Sequence, residues 1–386
     1  MDRMLLDFKG NAMILKFEIS GLYSFGITKQ EISFTSKPKN RIRNTKYEYN
    51  FNLLQAQRPM KSALFFGGNA SGKTNFFVAV KILLSIIKYG LSHTLREHIT
   101  DNAFNKNSNS ITLGIELSDN KKSVFGYFIE FDSQKIVRES FKKDNRAIFL
   151  FEKDKATFKD EQLQSFFSRR LSENILYFLK DFEIKEYEEF MNIVNGIEVY
   201  MSSSYSKEYM LDFNETRKNY FIENKSGILE IFKILDKTID DFSFEELEKE
   251  DKSVYRIYFI RKEQHFSYQV ESEGIKKIVQ LADKFLEVIK GGKVVFIDEL
   301  DSSISTLALI KIFNNLINTE ENANGQVIVS SHNLLLFDVS FLNSQQIFLV
   351  QKNSELETII KNYYDFDIRS EKKRAYIDYL KGLYEE

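Results

Sequence analysis

The 386-residue chain contains no cysteine, no tryptophan and only two prolines. Without cysteine it cannot form disulfides or thiolate zinc sites, which fits a reducing compartment. It also lacks an apolar run near the ~18 residues that a membrane-spanning helix needs, since Lys81 and Lys88 interrupt its most apolar helical stretch. No long apolar segment lies near the first residue, so we expect no signal peptide. These absences predict a cytoplasmic protein that does not enter a membrane.

The charge balance neither favours nor excludes a nucleic-acid partner. The formal net charge is -2, and basic and acidic residues are interspersed. One basic segment, "KPKNRIRNTK", carries Lys37, Lys39, Arg41, Arg43 and Lys46. It can be a solvated loop, or it can contact nucleotide phosphate, DNA or RNA.

The stretch "FFGGNASGKTNFF" has the pattern of a phosphate-binding loop. Phe65 and Phe66 are predicted to close a buried strand, and Lys73 is predicted to open a helix that runs to about Tyr89. Between them, glycines let successive backbone N–H groups face one anion. Lys73 can then reach the β- and γ-phosphates, and the hydroxyl of Thr74 can bind Mg²⁺.

A second motif, "KVVFIDELD", is an apolar strand that ends in two carboxylates. In α/β sheets, ligands bind at the carboxyl ends of parallel strands. Asp298 is therefore predicted to hold Mg²⁺, and Glu299 to orient or deprotonate the attacking water. More than 200 residues separate this motif from the phosphate loop, which predicts a large insertion.

Two further segments are candidates for contact with the triphosphate. In "ESEGIKKIVQLA", Ser272 is predicted to cap a helix from about Glu273 to Lys290, with Gly274 in its first turn. This is either an ordinary capped amphipathic helix or a helix N-terminus that faces ATP bound to a partner subunit. In "VIVSSHN", His332 follows an apolar strand, from which its imidazole can sense the γ-phosphate.

The chain divides into three predicted parts. Residues 1–154 combine antiparallel strands, including 14–19 paired with 29–34, with the phosphate loop and its helix. Residues 155–250 are predicted to be a helical insert, because apolar side chains recur at helical spacing at Leu163, Phe167, Leu171, Ile175 and Phe178. A second helix is predicted over 228–239. Residues 251–386 alternate apolar strands, "VYRIYFI" among them, with helices, which predicts a parallel sheet.

In this order the motifs resemble the ATPase head of ABC-type and SMC proteins, and most closely the OLD-like, abortive-infection AAA-family ATPases. The resemblance implies an α/β P-loop NTPase fold of ABC/SMC-head type, with a β-rich first lobe, a parallel-sheet second lobe and a helical insert. The early motif commonly reads Asn-Phe-Arg-Ser-Phe, and here Tyr23 stands in place of the arginine.

The resemblance also assigns roles to individual residues. It implies a Walker A loop at residues 67–74, a signature at residues 272–274 and a Walker B pair at Asp298 and Glu299. It also implies a D-loop that includes Asp301 and Ser302, and a switch histidine at His332. Two heads would enclose ATP and Mg²⁺ as a homodimer or within a higher homo-oligomer. The implied nucleotide contacts are Gly67, Gly68, Asn69, Ala70, Ser71, Gly72, Lys73, Thr74, Asn75, Ser272, Glu273, Gly274 and Asp301.

The function implied by this resemblance is an ATP-hydrolysing switch in bacterial anti-phage defence. It would respond to a phage-encoded trigger and control a separate effector, either a toxin or a Toprim-type nuclease. About 54 residues follow His332, which is too few for the Toprim nuclease that larger members of the resembled family carry. We therefore expect that this chain does not itself cut nucleic acid. Two alternatives stay open: a low-turnover ATP-bound sensor or scaffold, and an SMC-like DNA-repair ATPase that clamps DNA.

Overall fold

The computed structural model describes residues 13–37, 42–53, 55–119, 122–167, 173–201, 212–249, 252–337, 341–366, 379 and 381. Lys39, Arg41 and Leu171 lie outside these residues. The strands of the described part are β1 (Met13–Ser20), β2 (Gln30–Ser33), β3 (Ser62–Phe66), β4 (Ile111–Ser118), β5 (Val124–Phe131), β6 (Ile136–Lys143), β7 (Arg146–Glu152), β8 (Lys155–Phe158), β9 (Ile197–Tyr200), β10 (Asp212–Phe213), β11 (Asp241–Lys249), β12 (Lys252–Arg261), β13 (Gln264–Ser267), β14 (Val294–Ile297), β15 (Gln326–Ser331), β16 (Ile347–Lys352) and β17 (Thr358–Asn362).

The α-helices of the same residues include two long ones, which follow the phosphate loop and Ser272. The helices are α1 (Lys73–Tyr89), α2 (Leu91–His98), α3 (Glu161–Phe166), α4 (Ile175–Phe178), α5 (Lys185–Val194), α6 (Glu215–Glu223), α7 (Lys225–Leu235), α8 (Glu273–Gly291) and α9 (Thr306–Ile312). Within the described ranges, every helix is too short or too polar to cross a lipid bilayer.

A seven-stranded antiparallel sheet forms the first layer of the molecule. Its strand order is β2-β1-β4-β5-β6-β7-β8. The predicted pairing of β1 with β2 is confirmed, with Phe17 opposite Ile32. Strands β4 to β6 pair antiparallel in chain order, so the first lobe is rich in β-structure.

The phosphate loop belongs to a second, six-stranded sheet with the order β17-β16-β3-β15-β14-β9. All neighbouring strands in it are parallel except β16 and β17. Strand β3 lies between β15 and β16, so the sheet joins a strand from the first part of the chain to strands from the last part. The carboxyl ends of β3, β14 and β15 therefore meet at one edge.

The prediction of a helical insert over 155–250 is incomplete. Strand β8 extends the first sheet, and β9 pairs in parallel with β14. Strand β11 pairs antiparallel with β12 over nine residues, from Asp241 to Lys249. The prediction that "VYRIYFI" belongs to the parallel sheet is wrong, because it lies in β12, in a separate antiparallel sheet with β10, β11 and β13. The boundaries of the three predicted parts stay predictions.

The six-stranded sheet separates two apolar cores. Along β14, Val294 and Phe296 enter the first core, whereas Val295 and Ile297 enter the second. This alternation follows from the pleat of a strand that is covered on both faces. The first core contains the antiparallel sheet and α1, and the second contains α7, α8, α9 and the third sheet.

Candidate nucleotide-binding site

The phenylalanines beside the phosphate loop anchor its two ends in the cores. The ring of Phe65 stacks on Phe76 of α1 with centroids 4.5 Å apart, and Phe66 stacks on Phe337 at 5.0 Å. Phe65 and Phe66 belong to opposite cores because they are consecutive residues of β3. The strand before the loop and the helix after it, both predicted from the sequence, are thus held in place.

The loop between β3 and α1 depends on its glycines. Gly72 has a φ of 107°, a conformation that other residues rarely adopt, and a Cβ there would overlap the side chain of Thr358. A Cβ on Gly67 would overlap the carbonyl of Val350. Gly68 faces open space and, with Asn69 and Ala70, is exposed at the tip of the loop. A ligand can therefore approach this backbone closely.

Lys73 closes the loop on itself. Its side chain is buried, and Nζ donates to the carbonyl oxygens of Gly67 and Gly68 at 2.8 Å each. Burial lowers the pKa of Lys73, while the carboxylates of Asp298, Glu299 and Asp301 oppose that shift. The ammonium group therefore lies against the backbone of the loop that is predicted to bind phosphate.

The structure brings the phosphate loop and the acidic strand end together. Thr74 Oγ1 donates to Asp298 Oδ2 at 3.0 Å. Asp298 is fully buried, and its Oδ1 accepts from Ser330 Oγ at the end of β15. The same hydroxyl accepts the backbone N–H of Glu299 at 2.8 Å. Ser330 thus fixes both carboxylate residues from the strand between β14 and β3.

These residues fit a magnesium–nucleotide ligand. A hydroxyl and a carboxylate are oxygen ligands of the kind that Mg²⁺ takes in nucleotide sites, where water and phosphate supply the others. Thr74 and Asp298 would hold the ion. Ser71 Oγ is buried with no hydrogen-bond partner among the described residues, so the loop retains an unmet polar group.

Asn75 connects the loop to the start of the chain. Its amide donates to Ser24 Oγ at 2.7 Å, and that hydroxyl contacts Thr358 Oγ1 at 2.7 Å. Thr358 Oγ1 in turn donates to the carbonyl oxygen of Ser71 at 2.9 Å. The early motif, in which Tyr23 replaces the arginine of the resembled family, therefore supports the back of the loop.

The segment predicted as a signature contacts the D-loop of the same chain. Ser272 caps α8 by accepting the backbone N–H of Ile275, and Glu273 pairs with Lys276 at 2.9 Å. A Cβ on Gly274 would lie only 2.5 Å from the carbonyl oxygen of Ser303. The glycine thus allows the helix N-terminus to approach the backbone that follows Glu299.

Lys277, which the sequence reasoning did not select, lies at the same contact. Its Nζ donates to the carbonyl oxygen of Glu299 and to Oγ of Ser302, both at 2.5 Å. Burial lowers the pKa of Lys277 to about 8, although the carboxylates of Asp301, Glu299 and Asp298 oppose this shift. The buried ammonium group therefore joins α8 to the acidic turn.

His332 lies beside the D-loop. Its Nδ1 is 3.5 Å from Asp301 Oδ2, and its backbone N–H donates to the same oxygen at 3.4 Å. The imidazole is 54% exposed, whereas the side chain of Asp301 is buried and its Oδ1 has no hydrogen-bond partner among the described residues. In the structure, the predicted switch histidine thus contacts the carboxylate of Asp301 in the predicted D-loop.

Sequence reasoning missed three supporting residues. These residues are Ser330, Thr358 and Lys277. The position of Ser330 at the end of the apolar strand "VIVSSHN" could have indicated a role for it. No sequence pattern indicates Thr358 or Lys277, because their partners are backbone carbonyls that are distant in sequence.

A phosphate loop between β3 and α1, a carboxylate at the end of β14 and a capped helix against the D-loop define a P-loop NTPase of ABC/SMC-head type. A family profile described as "AAA domain, putative AbiEii toxin, Type IV TA system" matches residues 62–338, and the chain belongs to that family. The predicted relation to abortive-infection ATPases is confirmed. Among curated proteins, none matches the sequence.

Solved structures of SMC heads have the same fold. One is an SMC head bound to the C-terminal winged-helix domain of ScpA, with 18% identity, a TM-score of 0.53, and coverage of 90% of this chain and 98% of that chain. Another is the Smc head domain with a coiled coil and joint from Pyrococcus yayanosii, with 13% identity, a TM-score of 0.51, and coverage of 97% and 100%. These similarities confirm the predicted fold class.

Proposed function

We propose that this protein is an ATP-binding and ATP-hydrolysing switch of a bacterial anti-phage, abortive-infection system. The observation that carries the ATPase is the 3.0 Å contact between Thr74 and Asp298, which joins the phosphate loop to the acidic strand end. The family description, which names an abortive-infection toxin and a toxin–antitoxin system, supports the defence role. Fold alone does not decide function, so the ATPase is argued from the site and the defence role from the family description.

Each residue of the site has a role that its position allows. Lys73 would exchange the carbonyl oxygens of its own loop for the β- and γ-phosphates. Thr74 and Asp298 would hold Mg²⁺, which neutralises charge on the triphosphate when bound. Glu299 would orient the attacking water as a general base. His332, whose imidazole contacts Asp301, would respond to the γ-phosphate.

The second half of the site would come from another copy of the chain. Ser272, Glu273 and Gly274 of that copy would face the triphosphate, so that ATP holds two heads together. A separately encoded effector, a nuclease or toxin, would be bound or released with this pairing. A phage-encoded trigger would shift the equilibrium between paired and separate heads.

The measurement that tests the ATPase is steady-state phosphate release. The wild-type chain should release phosphate from ATP with Mg²⁺ present. Glu299→Gln should abolish turnover while ATP still binds, and Lys73→Ala should abolish binding or turnover because the phosphate charge loses its partner. Glu355→Gln, the same change at an exposed turn, serves as the control and should leave turnover unchanged.

Measurements of ATP binding and phosphate release also distinguish the ATPase from the low-turnover sensor or scaffold. Tight ATP binding without phosphate release would favour the low-turnover sensor or scaffold. Unchanged ATP affinity and turnover in Lys73→Ala would refute the site assignment. In the described part of the basic segment, Lys37 pairs with Asp365 of the same chain at 3.1 Å, whereas Arg43 and Lys46 are exposed, so the DNA-clamping alternative stays open.

A further inference from the structure

The turn that carries the predicted general base has an unusual backbone. Glu299 has a φ of 51° and Ser303 a φ of 71°, so two residues that are not glycine adopt the left-handed conformation within five positions. Such residues are uncommon, and they persist where the surrounding structure holds them in place. The turn between β14 and α9 therefore needs external support.

Lys277 of α8 supplies that support. Its Nζ donates to two carbonyl oxygens of the turn, those of Glu299 and, at 3.2 Å, Ser302, and also to the hydroxyl of Ser302. Lys277 is only 3% exposed. Hydrogen bonds from a charged donor in a buried setting are stronger than bonds between neutral groups. One side chain thus fixes both ends of the segment 299–302.

The approach of α8 makes these bonds possible. Gly274 lies one turn before Lys277 on the same helix, and the absence of a Cβ lets the carbonyl oxygen of Ser303 pack against the helix backbone. Ser330, at the end of β15, donates to Asp298 and accepts the N–H of Glu299. The contact between Thr74 and Asp298 therefore has its own support, separate from Lys277.

We propose that Lys277 is a positioning residue that fixes the backbone of Glu299, and thereby the location of its carboxylate and of the D-loop. This inference rests on the proposed ATPase function for its effect on turnover. Its effect on the backbone is independent of any activity. Loss of the ammonium group should slow the chemical step and leave nucleotide binding, which depends on Lys73 and Thr74, nearly unchanged.

The test compares three substitutions on α8. Lys277→Met keeps most of the side-chain length and removes the ammonium group, and Lys277→Arg keeps the charge and the donors. Lys284→Met is the matched control, since Lys284 is also a partly buried lysine of α8 but pairs with Glu287 and Glu198, away from the turn. Thermal unfolding of all three variants shows whether each is folded.

The first readout is amide hydrogen exchange in the peptide that spans Glu299 to Ser303. In Lys277→Met the exchange should accelerate about tenfold or more, because the turn loses its anchor and opens locally. Lys277→Arg should restore most of the protection, and Lys284→Met should match the wild type in this peptide. Unchanged exchange in Lys277→Met would overturn the inference, whether or not the protein hydrolyses ATP.

The second readout is the split between KM and kcat. We expect kcat of Lys277→Met to fall about tenfold or more, while KM and the affinity for a fluorescent ATP analogue change less than about threefold. Lys277→Arg should recover part of kcat. If the wild type hydrolyses ATP and Lys277→Met has the same kcat, the inference fails and the ATPase stands. If the wild type has no turnover, the ATPase fails, and the exchange experiment decides the role of Lys277.

Discussion

At the scale of single residues, Thr358 connects the C-terminal hairpin to the phosphate loop. It is fully buried, its hydroxyl donates to the carbonyl oxygen of Ser71, and it contacts the hydroxyl of Ser24. The methyl and hydroxyl of Thr358 also occupy the space beside Gly72 that a Cβ would need. The loop is therefore held from behind by a residue outside the range 62–338 that the family profile matches.

We expect Thr358→Val to weaken nucleotide binding about tenfold. Valine has nearly the same shape, so the change removes the hydroxyl and leaves buried polar partners unpaired, at a cost of ~1–3 kcal/mol. Titration with a fluorescent ATP analogue measures the effect, and Thr358→Ser, which keeps the hydroxyl, should bind nearly as the wild type does. Equal affinity for Thr358→Val and the wild type would show that this hydrogen bond does not shape the loop.

The residue scale also shows what sequence can reveal about the site. The sequence predicts Lys73, Thr74 and Asp298 because their chemistry requires fixed residue types at fixed positions after a strand. It does not predict Thr358 and Lys277, because a threonine or lysine that donates to backbone carbonyls follows no spacing rule. The carbonyl groups that these two side chains contact come close to them only when the chain folds.

At the scale of elements, a buried carboxyl group holds the short helix α4 against the first sheet. Glu139 of β6 is fully buried and accepts the backbone N–H groups of Ile175 at 2.7 Å and Leu176 at 2.9 Å. It also accepts the hydroxyl of Tyr127 at 3.0 Å. Burial raises the pKa of Glu139 to about 7, although these hydrogen bonds oppose the shift.

This raised pKa predicts a pH-dependent contribution to stability. The folded state keeps the proton at pH values where the unfolded chain, with a glutamate pKa of about 4.3, has lost it. The free energy of unfolding should therefore fall as pH rises from about 4.3 to about 7, with at most ~1.4 kcal/mol lost per pH unit. Above that range the contribution should be constant.

Urea unfolding of the wild type and Glu139→Gln at pH 5 and pH 7.5 checks this prediction. Glutamine does not titrate, so the free energy of unfolding of the wild type relative to Glu139→Gln should decrease at the higher pH. Glu152→Gln, at an exposed position of β7, should show no such change relative to the wild type. A difference that is the same at both pH values would mean that Glu139 does not titrate in this range.

The elements that sequence misjudged explain the limits of periodicity. Strand β9 has four residues, too few to show an alternating pattern, and it becomes a strand because β14 offers a parallel edge. Strand β11 reads "DFSFEELEK", and its glutamates and lysine favour a helix. Pairing with β12 along its whole length outweighs that preference. Tertiary partners decided both cases.

At the scale of the whole molecule, the predicted pairing face carries exposed apolar side chains. Val270, two residues before Ser272, is 75% exposed, Leu307 is 63% exposed and Leu335, three residues after His332, is 59% exposed. A hydrogen bond from Asn333 to Thr306 at 2.8 Å joins the segments that carry Leu335 and Leu307. A second copy that covers the signature and the switch histidine, as proposed, would also bring apolar contacts to these side chains.

A composite site makes a specific prediction for mixtures of variants. Lys73→Ala disables the phosphate loop, and Ser272→Arg would block the signature that faces the partner's ATP. If each site combines the loop of one copy with the signature of the other, each variant alone should be inactive. A mixed dimer would pair the intact loop of one copy with the intact signature of its partner.

Phosphate release by an equimolar mixture of Lys73→Ala and Ser272→Arg should therefore return to about a quarter of the wild-type rate, since about half of randomly formed dimers are mixed and each has one intact site. The control is a mixture of Lys73→Ala and Glu299→Gln, which both damage the loop side of the site. In that mixture no site combines two intact halves, so activity should not return. Activity that stays absent in the first mixture, from variants shown to be folded and to exchange subunits, would count against a site shared between two copies.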